Sequence, residues 1–207
     1  IRVSTNYGLK ETWDQPIINQ PEIGFLGILT QMKNGILHFL LQAKIEPGNI
    51  NIVQLSPTLQ ATKSNYTRVH QGKTPTFLEY FNGEKKVTVL VDQLQSEQGA
   101  RFFKKRNRNI IIEIPENEQL VVPDNFIWLT LKQLKDLMSM DNVVNMDTRT
   151  VISAINYGNF NHTQALQNAI PSLSTEKTER ILSLLSDDKP LKNIENILSW
   201  MTNLKSK

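Results

Sequence analysis

The chain has no cysteine among its 207 residues. That excludes disulfides, thiolate metal sites and cysteine nucleophiles, and fits a reducing cytoplasm. It has no run of about 18 apolar residues, so no membrane-spanning helix is expected. No signal peptide is expected either, because Ile1-Arg2-Val3-Ser4-Thr5 reads as the middle of a strand, and a start at Ile reads as a processed or excised piece. Histidine is scarce: His38, His70 and His162 lack HxH, HxxxH or HExxH spacing and predict no zinc site. Nine glycines form no phosphate loop, since Gly24 and Gly27 do not extend to GxGxxG and no GxxxxGK occurs. Clustered aspartates that would hold magnesium are also missing. A net charge of +3 suits a small anionic ligand and is too weak to argue for nucleic acid.

What is present is an ordinary globular composition, 39% hydrophobic and 21% charged, long enough for one domain with a helical appendage. Apolar runs at 23–29 and 36–43 flank Lys33-Asn34-Gly35, and Asn-Gly supplies the positive φ angles of a type I′ hairpin turn. Pro47-Gly48-Asn49 predicts the next turn, followed by a strand over 50–55. A short helix over 76–81 stopped by Asn82-Gly83, a strand over 87–91 and a β-branched strand over 109–114 come next. Thr130 is a candidate N-cap for an amphipathic helix over 131–140. From about 148 strand signals give way to helical spacing, as in Leu182, Leu184 and Leu185, then Ile194, Ile197 and Leu198. The pattern predicts an α+β body over 1–150 and a helical segment over 151–207.

The chemistry-bearing residues gather in a few places. The stretch from Leu55 to His70 is dense in polar groups and includes Asn65, Tyr66, Arg68 and His70; such a stretch between structured segments reads as a surface for a polar ligand. Lys104-Lys105-Arg106-Asn107-Arg108, with Arg101 nearby, reads either as a solvated turn between strands or as a clamp for phosphate oxygens. Lys44 and Glu46 stand at i and i+2 of a strand and share a face, as a surface ion pair or as an acid and a base. His38, in an apolar strand, reads as a core residue; His70 titrates near neutrality at the end of the polar stretch; His162 reads as structural.

Several blocks together resemble the NDP-hexose 2,3-dehydratases: Gln20-Pro-Glu-Ile-Gly24, Leu41-Gln-Ala-Lys-Ile-Glu-Pro-Gly-Asn49, Leu55 to His70, Ser96-Glu-Gln-Gly99, Lys105-Arg-Asn-Arg-Asn109 and Asp141-Asn-Val-Val-Asn-Met-Asp147. The resemblance implies the first of two tandem modules with a Nudix-related mixed β-sheet, although Glu97 and Gly99 do not complete the Nudix hydrolase signature. It implies loss of water across C2 and C3 of a nucleotide-linked 4-keto-6-deoxyhexose, most simply a dTDP sugar, in deoxysugar biosynthesis. No cofactor, nucleic acid or membrane is implied, and the assembly would be a homodimer. The catalytic candidates are Lys44, Glu46, Tyr66, His70 and Glu97, with Glu46 or His70 as base and Tyr66 or Lys44 on the oxyanion or as acid. Asn65, Arg68, Arg101, Lys105, Arg106 and Arg108 would bind the sugar and diphosphate. A non-catalytic nucleotide-sugar-binding module is the alternative.

Overall fold

The structure, a computed structural model, describes residues 1–5, 9–62, 74–155, 174 and 193–205. Among them an α+β fold is built on one seven-stranded mixed sheet, with a separate two-stranded ribbon of β1 (Arg2–Ser4) and β2 (Thr12–Asp14). In the large sheet β3 (Gly24–Lys33) and β4 (Ile36–Ile45) form the predicted hairpin. Asn34 and Gly35 carry φ angles of 53° and 76°, as an Asn-Gly turn requires. No described helix is long and apolar enough to cross a membrane.

The hairpin does not stay paired. Its last Cα pair is Leu29 with Leu40, and beyond it the two strands part. Into the fork goes a V of chain: β5 (Val53–Ser56) pairs with the outgoing arm of β4, and β6 (Leu59–Ala61) pairs with the first residues of β3. Thr58 stands at the apex. Its hydroxyl accepts the Leu29 N–H at 2.9 Å and donates to the Leu40 carbonyl, so the two backbone groups exposed by the parting strands are both satisfied. Leu55, Ser56, Thr58, Leu59 and Ala61 are all buried. The first half of the polar stretch is therefore core structure, and residues 63–73 lie outside the described residues.

Two other expectations need correction. The strand predicted over 50–55 begins only at Val53, because Ile52 adopts φ 63° in a turn closed by Asn49 and Asn51 backbone carbonyls. The basic cluster is not simply a turn: Lys104 turns the chain at φ 51°, and Arg106 opens β8 (Arg106–Ile114). That strand pairs parallel to β3 and antiparallel to β7 (Thr88–Ser96) at the sheet edge. Alternation along β8 sends Ile111 into one core and Ile110, Ile112 and Ile114 into a second on the opposite face.

The second core is closed by α1 (Leu78–Phe81), whose Phe81 ring lies where a Cβ at Gly27 would sit, 2.4 Å away. Among the described residues the first is closed by α2 (Leu131–Met138), α3 (Met146–Ser153) and α4 (Ile194–Lys205). Thr130 ends β9 (Phe126–Thr130) and caps α2 with a complete capping box against Gln133, as its position in the sequence predicts.

Replacing Thr58 with Val keeps the shape of the side chain and removes the hydroxyl. The Leu29 N–H and Leu40 carbonyl then lose their partner, at about 1–3 kcal/mol for each group left unsatisfied. Urea unfolding should show that loss in Thr58→Val and a much smaller one in Thr58→Ser, which keeps the hydroxyl.

Candidate functional site

The mouth of the fork is where the polar residues collect. The first residues of β3, the last of β4, the end of β6 and the start of β8 meet there, and residues from each of them line the space between them. Three adjoining hollows of about 200, 300 and 400 Å³ occupy the space, and Glu97 lines all three. The middle one is walled by Gly24, Phe25 and Leu26 of β3, Lys44 of β4, Gln60, Ala61 and Thr62, and Lys105, Asn107 and Asp147. Gly24 is needed for close approach, since a Cβ there would meet Asn107 Oδ1 at 3.0 Å and the Ala61 carbonyl at 3.2 Å.

Carboxylates gather around the Lys44 ammonium. Lys44 Nζ lies 2.9 Å from Glu46 Oε1, the geometry expected of i and i+2 neighbours. Glu97 follows the end of β7. Its Oε2 accepts the Asn107 amide, its Oε1 accepts the Gln98 N–H at 3.3 Å, and its own N–H donates to the Lys105 carbonyl at 2.9 Å. Asp147 completes the set from the first turn of α3. Its position is fixed through Asn145, the helix N-cap, whose Oδ1 accepts the Thr148 N–H at 2.8 Å and whose N–H donates to the Leu55 carbonyl at 2.9 Å. The Asn145 amide also reaches Ser56 Oγ at 3.3 Å, and Ser56 donates to Gln60 Oε1 at 2.8 Å, which ties the helix start to the V in the fork.

The Asp147 carboxyl is pushed up to about 6. Burial is the largest cause, followed by repulsion from Glu97 and then Glu46, with Lys44 opposing. A helix N-terminus stabilises a carboxylate, so this shift stands against that field. The third hollow is basic: Lys104, Lys105 and Arg106 line it beside Gly99 and Phe102. Lys105 is buried, and its ammonium donates to the Glu22 carbonyl at 2.7 Å.

Of the residues singled out from sequence, Lys44, Glu97, Lys105 and Arg106 line these hollows, and Glu46 is paired to Lys44 at their edge. Arg108 does not line them. It lies on the other face of β8 from Asn107 and is locked by two 2.7 Å bonds to Asp92 that raise the guanidinium's affinity for its proton and lower that of the carboxyl. Arg101 is exposed, and among the described residues its guanidinium reaches Gln98, at 3.5 Å. His38 is buried in β4, with Nδ1 2.9 Å from the Ile36 carbonyl, and burial holds its pKa down. Asn65, Tyr66, Arg68, His70 and His162 lie outside the described residues. Sequence reasoning passed over Asn107 and Asp147. The available signal was Asn145-Met-Asp147, an N-cap residue with an acid in the first helical turn.

A mixed sheet whose forked hairpin opens onto a cavity lined by both acidic and basic side chains defines an α+β protein. A family model described as NDP-hexose 2,3-dehydratase matches residues 1–155, and the chain belongs to that family. Relatives named dTDP-4-dehydro-6-deoxy-alpha-D-glucopyranose 2,3-dehydratase match it in three organisms. The protein from Saccharopolyspora spinosa is 46% identical over 207 residues, covering 100% of this chain and 41% of its own length. That from Amycolatopsis orientalis is 52% identical over 145 residues, 70% of this chain and 30% of its own. That from Streptomyces violaceoruber is 40% identical over 207 residues, 96% and 42% respectively. The chain thus spans less than half the length of these relatives. Among solved structures, an Ap4A hydrolase from C. elegans aligns with TM-score 0.40 and 9% identity over 65% of this chain and 96% of its own. The C-terminal domain of mouse MUTYH, solved with human PCNA, aligns with TM-score 0.37 and 12% identity over 74% and 92%. Both likenesses are too loose to carry weight.

The causes of the Asp147 shift set its response to substitution. A carboxyl-selective NMR titration should place Asp147 near 6. Glu97→Gln should move that midpoint down, and Lys44→Met should move it up.

Proposed function

We propose that this chain forms a nucleotide-sugar site of a dehydratase that removes water across C2 and C3 of a dTDP-linked 4-keto-6-deoxyhexose. The observation that carries the reading is that cations and carboxylates face one cavity: Lys44, Lys105, Glu97 and Asp147 line its middle hollow, and Lys104 and Arg106 line the next. A sugar diphosphate needs both. Its phosphate oxygens call for cations, and proton transfer at the sugar calls for positioned acids and bases. The names of the relatives supply the sugar and the nucleotide.

The C4 ketone acidifies the C3 hydrogen, so a side-chain base can take that proton and leave an enolate. We assign Glu46 as that base; its 2.9 Å pairing with Lys44 supports the reading, in which the ammonium stabilises the enolate oxygen. His70 is the rival base, and Tyr66 the rival oxyanion donor. Expulsion of the C2 hydroxyl as water then restores the C4 ketone and leaves a C2–C3 enol, which tautomerises to a 3,4-diketo-2,6-dideoxy sugar.

The intact protein, incubated with dTDP-4-keto-6-deoxyglucose, a 3-ketoreductase and NADPH, should give a 2-deoxy product. Glu46→Gln should lower the rate about 10²–10⁴-fold, while Lys105→Met should weaken dTDP binding. Full activity in Glu46→Gln with loss in His70→Asn would move the base to His70. Binding of the sugar nucleotide without turnover would favour the non-catalytic module instead.

A further inference from the structure

Elimination needs a proton donor for the departing C2 hydroxyl as well as a base for C3; of the acids the resemblance offers, Tyr66 lies outside the described residues and Lys44 is the oxyanion donor of the reading above. Each described acid in the cavity can be weighed for that role. Glu46 is tied to Lys44 at 2.9 Å. Glu97 has both carboxyl oxygens engaged by N–H donors, from Gln98 and Asn107, so its side chain is already set as an acceptor. The remaining acid is Asp147. Among the described residues nothing hydrogen-bonds its carboxyl, which borders both the first hollow and the second. The first hollow, walled by Gln95, Gln98 and Asn109 besides Glu97 and Asp147, is lined by amides suited to sugar hydroxyls and lies away from Lys104 and Arg106. Asp147 therefore stands on the sugar side of the cavity, carried by a helix whose start is anchored to β5.

We infer that Asp147 is the general acid of the elimination, delivering its proton to the C2 hydroxyl as the C2–O bond breaks; this rests on the dehydratase reading above. The step balances. The base takes the C3 proton, the C3–H electron pair enters the enolate, and on its collapse that pair becomes the C2–C3 double bond. The C2–O pair leaves with the oxygen, which takes the Asp147 proton and departs as water. Ketonisation of the enol then returns one proton to C2 and releases one from O3, so acid and base recover their starting states. Titration of Asp147 near neutrality fits the role. The charged groups that face it are Glu97 after β7, Glu46 and Lys44 at the end of β4, and Lys105 before β8.

The test separates the two proton transfers. In D₂O, with dTDP-4-keto-6-deoxyglucose, the intact Asp147→Asn protein should still exchange the C3 hydrogen for deuterium. Its elimination of water should fall about 10²–10⁴-fold. A 2-deoxy-2-fluoro analogue, whose leaving fluoride needs no proton, should be eliminated at nearly the wild-type rate. That arm also shows the variant to be folded. Unchanged water elimination in Asp147→Asn would overturn the assignment. Loss of C3 exchange together with loss of fluoride elimination, in a variant that binds dTDP and melts like wild type, would overturn it too. Wild-type protein that neither exchanges C3 nor eliminates water would sink the dehydratase reading itself, and this inference with it.

Discussion

Two strands of a hairpin that separate inside a protein core leave backbone groups facing each other with nothing between them. Here the Thr58 hydroxyl fills that gap, accepting from Leu29 and donating to Leu40 where both strands are fully buried. One side-chain oxygen thus lets the β3–β4 hairpin open without an unsatisfied donor or acceptor. The cavity lies beyond that point. β6 can reach β3 only because β4 has left it, and Lys44 and Glu46 stand on the arm of β4 that has swung away. A closed hairpin would have continued the ladder and packed the cavity shut.

Electrostatics in the opened space follow from how unequally its charges are solvated. Burial and two neighbouring carboxyls hold a proton on Asp147 into the neutral range, while a single ammonium at Lys44 offsets part of that repulsion. Arg108 shows the opposite fate on the same strand that carries Asn107. Alternation turns it to the far face, where Asp92 neutralises it. Proximity in sequence to Lys104, Lys105 and Arg106 was therefore no guide to where its side chain lies.

Local chemistry made much of the fold legible in advance. The Asn34-Gly35 turn, the Thr130 cap, the Asn82-Gly83 stop and the β-branched strand ending at Ile114 each carry their own physical signal within a few residues. The fork carries none. That Thr58 and Leu59 are core depends on a gap in a hairpin some 30 residues earlier in the chain, and no periodicity within 55–62 reports it. The same holds for the site. Lys44 with Glu46 was readable as an i, i+2 pair, whereas Asp147 joins Glu97 through the docking of α3 on β5, a contact between segments far apart in sequence.

The parallel pairing of β3 with β8 has a consequence for how the molecule is made. Parallel strands cannot be joined by a tight turn, and these are separated by the whole of β4 to β7. Closing so long a loop costs chain entropy before any contact repays it, and folding rates fall as such non-local pairings dominate. The opposing sides of the cavity, from residues 24–26, 44–46, 97–107 and 147, meet only once that pairing is complete. The local β3–β4 hairpin needs no such closure, so the cavity is a product of the long-range pairing and not of the hairpin alone.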